Sequence, residues 1–140
     1  MPVRREGDRM SEHLTVVDVS DIRPRRLDEL RASVGELARL VEANEPRPAA
    51  YEIFFDPDET RMSVLQVHPD SASMELHMRV AADAFRGFAD LLTLRTVDVY
   101  GDPSDELLGQ LRRKVELLGD ATITVHRRQA GFARLGRPAG

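Results

Sequence analysis

No cysteine occurs in the 140 residues. Disulfides, thiolate metal sites and cysteine nucleophiles are excluded outright, and a cytoplasmic location is expected. No apolar run approaches the ~20 residues that a helical membrane span needs, so no membrane partner is expected. The opening stretch, MPVRREGDRM, is charged and lacks the apolar segment of a secretory signal. Positive charge is scarce too. Twenty basic residues stand against 24 acidic ones, for a net charge of −4. A nucleic-acid footprint needs a basic surface, so no nucleic acid is expected as a partner. Lysine is almost missing: Lys114 stands alone among arginines, which reads as composition bias. There is no GxSxG, no P-loop, no GxGxxG and no RNP-type aromatic pattern.

What remains is an ordinary globular composition, 41% hydrophobic and 31% charged, long enough for one domain with a real core. Leu14 to Ile22 (LTVVDVSDI) is rich in β-branched residues and reads as a first strand. Apolar residues at Leu27, Leu30, Val34, Leu37 and Val41 mark one face of a helix, which Pro46 stops. Asn44 suits the left-handed C-cap of that helix, with Glu45 just beyond it. Tyr51 to Asp56 (YEIFFD) and Met62 to His68 (MSVLQVH) flank a short polar turn, so they pair antiparallel. A long second helix follows. Asp70 or Ser71 caps it, Met74, Met78, Ala81, Phe85, Phe88 and Leu92 form its stripe, and Gly87 loosens it. Leu94 to Tyr100 is a fourth strand.

This order predicts an α+β fold, the ferredoxin-like β-α-β-β-α-β unit with an antiparallel sheet, over residues 13–101. Residues 102–135 add a helix, with Pro103 at its first position and Gly119 at its end, and a strand, Ala121 to His126. AGFARL extends that strand after a break. This extension packs on the domain or on a partner subunit. Residues 1–12 and 136–140 read as polar tails. Tyr51, Ile53 and Phe55 share one face of the sheet, Phe54, Leu65 and Val67 the other, so both faces are apolar. An open apolar face calls for cover, and a second copy packed sheet to sheet supplies it.

Three stretches, LVEANEPRPAAYEIFFD, VLQVHPDSASMELHM and FRGFADLL, carry a resemblance to a known family. They resemble the antibiotic biosynthesis monooxygenase-like (ABM) proteins of the dimeric α/β-barrel superfamily. The resemblance covers roughly residues 14–100. Asp70 matches the acid that follows the family's third strand, His77 its helix histidine, and Phe85 and Phe88 its aromatic stretch. The chain departs where Gln66 replaces the common strand glutamate and His68 the common tryptophan. The resemblance implies a homodimer, a pocket between each sheet and its helices, and a small apolar or aromatic ligand. Some members oxidise phenolic or quinol-type substrates with oxygen and no metal, flavin or haem, so no cofactor is expected. The haem-degrading members pair an asparagine on strand one with a tryptophan and a helix histidine; of these only His77 is present.

The candidate catalytic residues are His77, as proton acceptor or orienter, and His68 at the pocket mouth. The pocket is expected to take Gln66, Tyr51, Met74, Phe85, Phe88 and Tyr100. No metal site is expected: His68, Asp70 and His77 spread over a strand end, a cap and a helix, and zinc wants three or four convergent ligands. Two functions fit. One is an ABM-like enzyme, a cofactor-independent monooxygenase acting on an aromatic or quinol-type substrate. The other is a non-catalytic homodimeric module that binds a small ligand or a partner.

Overall fold

The computed structural model describes residues 12–135; the two expected tails lie outside them, apart from Glu12. The strands are β1 (Leu14–Ile22), β2 (Ala50–Phe55), β3 (Arg61–His68), β4 (Leu92–Tyr100) and β5 (Gly119–His126). The helices are α1 (Leu27–Asn44), α2 (Ser71–Val80), α3 (Ala82–Phe88) and α4 (Asp105–Leu118). The five strands form one open sheet in the order β2-β3-β1-β4-β5. The first four pair antiparallel, as the ferredoxin-like unit requires. β5 then joins the free edge of β4 in parallel, reached through α4 as a crossover. The extension therefore packs on its own chain, and the sheet does not close on itself.

Alternation places the core. In β1 the buried positions are Leu14, Val16, Asp18, Ser20 and Ile22. In β3 they are Met62, Val64, Gln66 and His68. All face the helices, because side chains on a strand alternate between faces. Leu30, Leu37 and Val41 of α1, Met74 and Met78 of α2, and Leu107, Leu111 and Leu118 of α4 pack against them. The opposite face carries Val17, Val19, Leu65 and Val67, with Phe54 half exposed. Nothing in residues 12–135 covers that face, since all four helices lie on the other side.

The elements differ from expectation in four places. The long second helix is two, joined at Ala81, which is fully buried. Gly87 does not cause the break, which falls six residues earlier. β4 starts at Leu92, so that residue serves a strand and not the end of a helix stripe. The third helix is capped by Ser104, whose hydroxyl accepts from the Leu107 N–H, so Pro103 lies before the helix. AGFARL is not a strand. Asp70 caps α2 as expected, its carboxylate accepting from the Ser73 N–H at 2.9 Å.

Candidate functional site

Two helix ends and two strands bring a set of buried polar groups together under the sheet. The first helix does not end in a left-handed asparagine. Asn44 stays helical and donates its side-chain amide to the Leu40 carbonyl at 2.8 Å. Glu45 then turns into extended backbone, and its side chain enters the core rather than the solvent. There it meets His77 of α2: Nδ1 lies 2.9 and 3.1 Å from the two carboxylate oxygens. Both side chains are 1% exposed. The carboxylate accepts the Nδ1–H proton. That tautomer leaves Nε2, which has no partner among the described residues, with a free lone pair.

A buried ion pair stands on the sheet side. Lys114 of α4 donates to Asp18 of β1 at 3.0 Å, with side chains 9% and 5% exposed. Its ammonium also lies 4.6 Å from the centre of the Phe85 ring. His77 sits edge-on to that ring at 6.3 Å, and 5.2 Å from the ring of Tyr51. Burial, then the charges of Asp18 and Glu45, push the Tyr51 phenol up, so it stays a proton donor.

All of these groups except Glu45, which stands behind His77, line a narrow cleft whose interior cavity is about 30 Å³. The apolar wall comes from Val34, Leu37, Ile53, Phe85 and Phe88; the polar wall from Asp18, Tyr51, Gln66, His77 and Lys114. That interior has room for about two waters, so even a single aromatic ring requires side-chain movement to enter. A second groove on α1 and β2 shares Val34, Tyr51 and Ile53 with the cleft.

His77, Gln66, Tyr51, Phe85 and Phe88 are thus brought together. Three expected members are placed elsewhere. His68 is not at a mouth: it is fully buried, with Nε2 2.9 Å from Gln66 Oε1 and Nδ1 2.8 Å from Ser73 Oγ. Nε2 donates to the amide oxygen, Nδ1 accepts from the hydroxyl, and the Gln66 amide is held toward the cleft. Burial, then His77, lowers the His68 pKa to about 4, so its ring is neutral. Met74 is fully buried in the core but does not reach the cleft. Tyr100 is on the opposite face of the sheet, 45% exposed and stacked on His126 at 4.5 Å. The inward positions of β4 are Val97 and Val99, and alternation turns Tyr100 out.

Sequence reasoning missed Glu45, Asp18 and Lys114. Asp18 had a signal, because it occupies an inward position of strand one between Val16 and Ser20. Among the described residues no group of three or more His, Asp or Glu is placed to hold a metal, and no helix is long and apolar enough to cross a membrane.

The architecture is that of the ABM-like proteins, as the sequence stretches implied. The chain is similar in fold to MupZ from Pseudomonas fluorescens, with TM-score 0.70 and 18% identity over 91% of this chain and 99% of that one. It is similar to a "putative antibiotic biosynthesis monooxygenase" from Caulobacter crescentus, with TM-score 0.59 and 18% identity over 71% and 97%. A like-named protein from Bacteroides thetaiotaomicron gives TM-score 0.53 and 19% identity over 59% and 85%. The MupZ match is long enough to include most of the C-terminal extension. At these identities the likeness is one of fold. No protein-family model and no curated protein matches the sequence.

Proposed function

We propose that the protein is a small-molecule enzyme of the ABM type, a cofactor-independent monooxygenase of an aromatic or quinol-type substrate. The observation that carries this reading is His77 on the wall of the cleft, with the buried Glu45 carboxylate behind its Nδ1. A carboxylate behind Nδ1 fixes the tautomer and orients the imidazole. Nε2 then takes the proton from a phenolic hydroxyl or an activated C–H. Tyr51 and the Gln66 amide are donors for the oxygen on which charge develops, and Phe85 and Phe88 hold the ring. The electron-rich anion reacts with oxygen to give a hydroperoxide on the ring carbon. Its O–O bond breaks as that carbon becomes a carbonyl. The substrate itself thus supplies the electrons and two hydrogens; one oxygen atom stays in the quinone product and the other leaves as water. His68 acts through Gln66 as a positioning residue. It is the neutral partner that holds the amide oxygen and so aims the N–H groups.

The test is oxygen uptake with a panel of hydroquinones and polycyclic phenols. Wild type should consume oxygen with at least one of them. His77→Gln and Glu45→Gln should reduce kcat by ~10²-fold or more, the usual size of a general-base contribution. Glutamine offers a hydrogen-bond partner in each pair, so neither variant leaves a buried polar group without one. No uptake with any panel member, or undiminished uptake by His77→Gln, overturns the reading and leaves the non-catalytic binding module.

A further inference from the structure

A groove outside the cleft runs between α2–α3 and α4. Its floor is apolar, from Met78, Phe85 and Leu117; Leu117 is 43% exposed. Its rim is basic. Arg79 stands 3.7 Å from Glu106 and Lys114 is held by Asp18. Arg86 and Arg113, also on the groove, meet no carboxylate among the described residues.

The inner wall holds Gln110, only 9% exposed. Its amide nitrogen donates to the Glu75 carbonyl at 3.3 Å, which fixes which end of the amide is which. Its oxygen has no hydrogen-bond partner. A buried acceptor left unmade is costly, and native proteins rarely keep one without a use. Gln110 lines the groove, and this oxygen lies sealed just beneath its surface, so a bound donor satisfies it when a neighbouring side chain shifts to uncover it.

The groove also touches the cleft. Phe85 and Lys114 line both, so a single side-chain layer separates them. The ion pair to Asp18 and the contact with the Phe85 ring hold Lys114 in that partition.

We propose that this groove binds an amphipathic molecule with an anionic head, a carboxylate or phosphate, and a hydroxyl or amide N–H close to it. The head pairs with Arg86 and Arg113. The donor reaches the Gln110 oxygen once a neighbouring side chain shifts to uncover it. The apolar body lies over Met78, Phe85 and Leu117. The site does not depend on chemistry at His77. It also stays open in a sheet-to-sheet dimer, because the helices lie on the other side of the sheet.

Isothermal titration of the full chain tests this with three probes, each below its critical micelle concentration. They are 3-hydroxydodecanoate, dodecyl phosphate and the neutral 1,3-dodecanediol. At least one acid should bind saturably, and whichever binds tighter identifies the head. The diol should bind at least tenfold more weakly. R86Q/R113Q should weaken the acid at least tenfold with no change in melting temperature, and rising salt should weaken wild type in the same direction. His77→Gln should bind as wild type does, which keeps this site distinguishable from the oxygenase reading. A diol that binds as tightly as the acids, unchanged affinity in R86Q/R113Q, or no saturable binding of either acid overturns the proposal.

Discussion

Glu45, Asp18 and His68 each place a titratable group where water does not reach, and they are tolerated for two different reasons. Glu45 and Asp18 are paired with His77 and Lys114. His68 is instead kept neutral, with its pKa lowered to about 4, first by burial. The unfolded chain binds a proton at His68 below about pH 6.5, while the native chain refuses it until about pH 4. Stability from this residue is therefore full above pH 6.5 and is lost as pH falls through that window, by ~3 kcal/mol in all. Urea unfolding at pH 7 and pH 4 should show wild type losing ~2–3 kcal/mol more than His68→Gln between the two. Equal losses would mean that the imidazole is solvated. Residue roles were the least legible part of the sequence. Glu45 follows a helix end, where polar residues usually meet water, and its partner is 32 positions away. Lys114 lies 96 positions from Asp18, and a lone lysine among arginines looks like composition. Only a long-range contact gives either one a purpose.

Elements were far more legible, because strands and helices write their period locally. The alternation of LTVVDVSDI and MSVLQVH names the inward face residue by residue, and the order of elements names the ferredoxin-like unit. The joint at Ala81 was not readable, since Val80, Ala81 and Ala82 contain no breaker. The parallel direction of β5 was not readable either; it follows from the crossover through α4. At its start Gly119 makes a close approach: a Cβ there would lie 2.6 Å from the Leu94 carbonyl oxygen. Gly87, inside α3, has nothing within 4 Å of such an atom. The two glycines should respond with opposite signs. Gly119→Ala should destabilise by about 2 kcal/mol, because backbone has to move. Gly87→Ala should stabilise by ~0.5–1 kcal/mol through helix propensity. Thermal unfolding of the two variants, side by side, checks both.

At the scale of the whole molecule, the sheet face turned away from the helices dominates. Val17, Leu65 and Glu52 lie in one cross-strand row, Val19, Ser63 and Phe54 in the next. The apolar part lies over β2, β3 and β1, whereas Thr96, Asp98, Thr122 and Thr124 make the β4–β5 side polar. A two-fold partner that covers the apolar half is the simplest solution, and we infer a homodimer formed that way. Leu65→Glu should turn a dimer into a monomer by sedimentation velocity at micromolar concentration, with the helical signal unchanged; a wild-type monomer would refute the inference. Lys114 has one further consequence. It is the chain's only ε-amine, and it is locked inside the core. An acylating reagent finds no other lysine, so the pace at which that one nitrogen is capped is a clock for how often the closed molecule breathes.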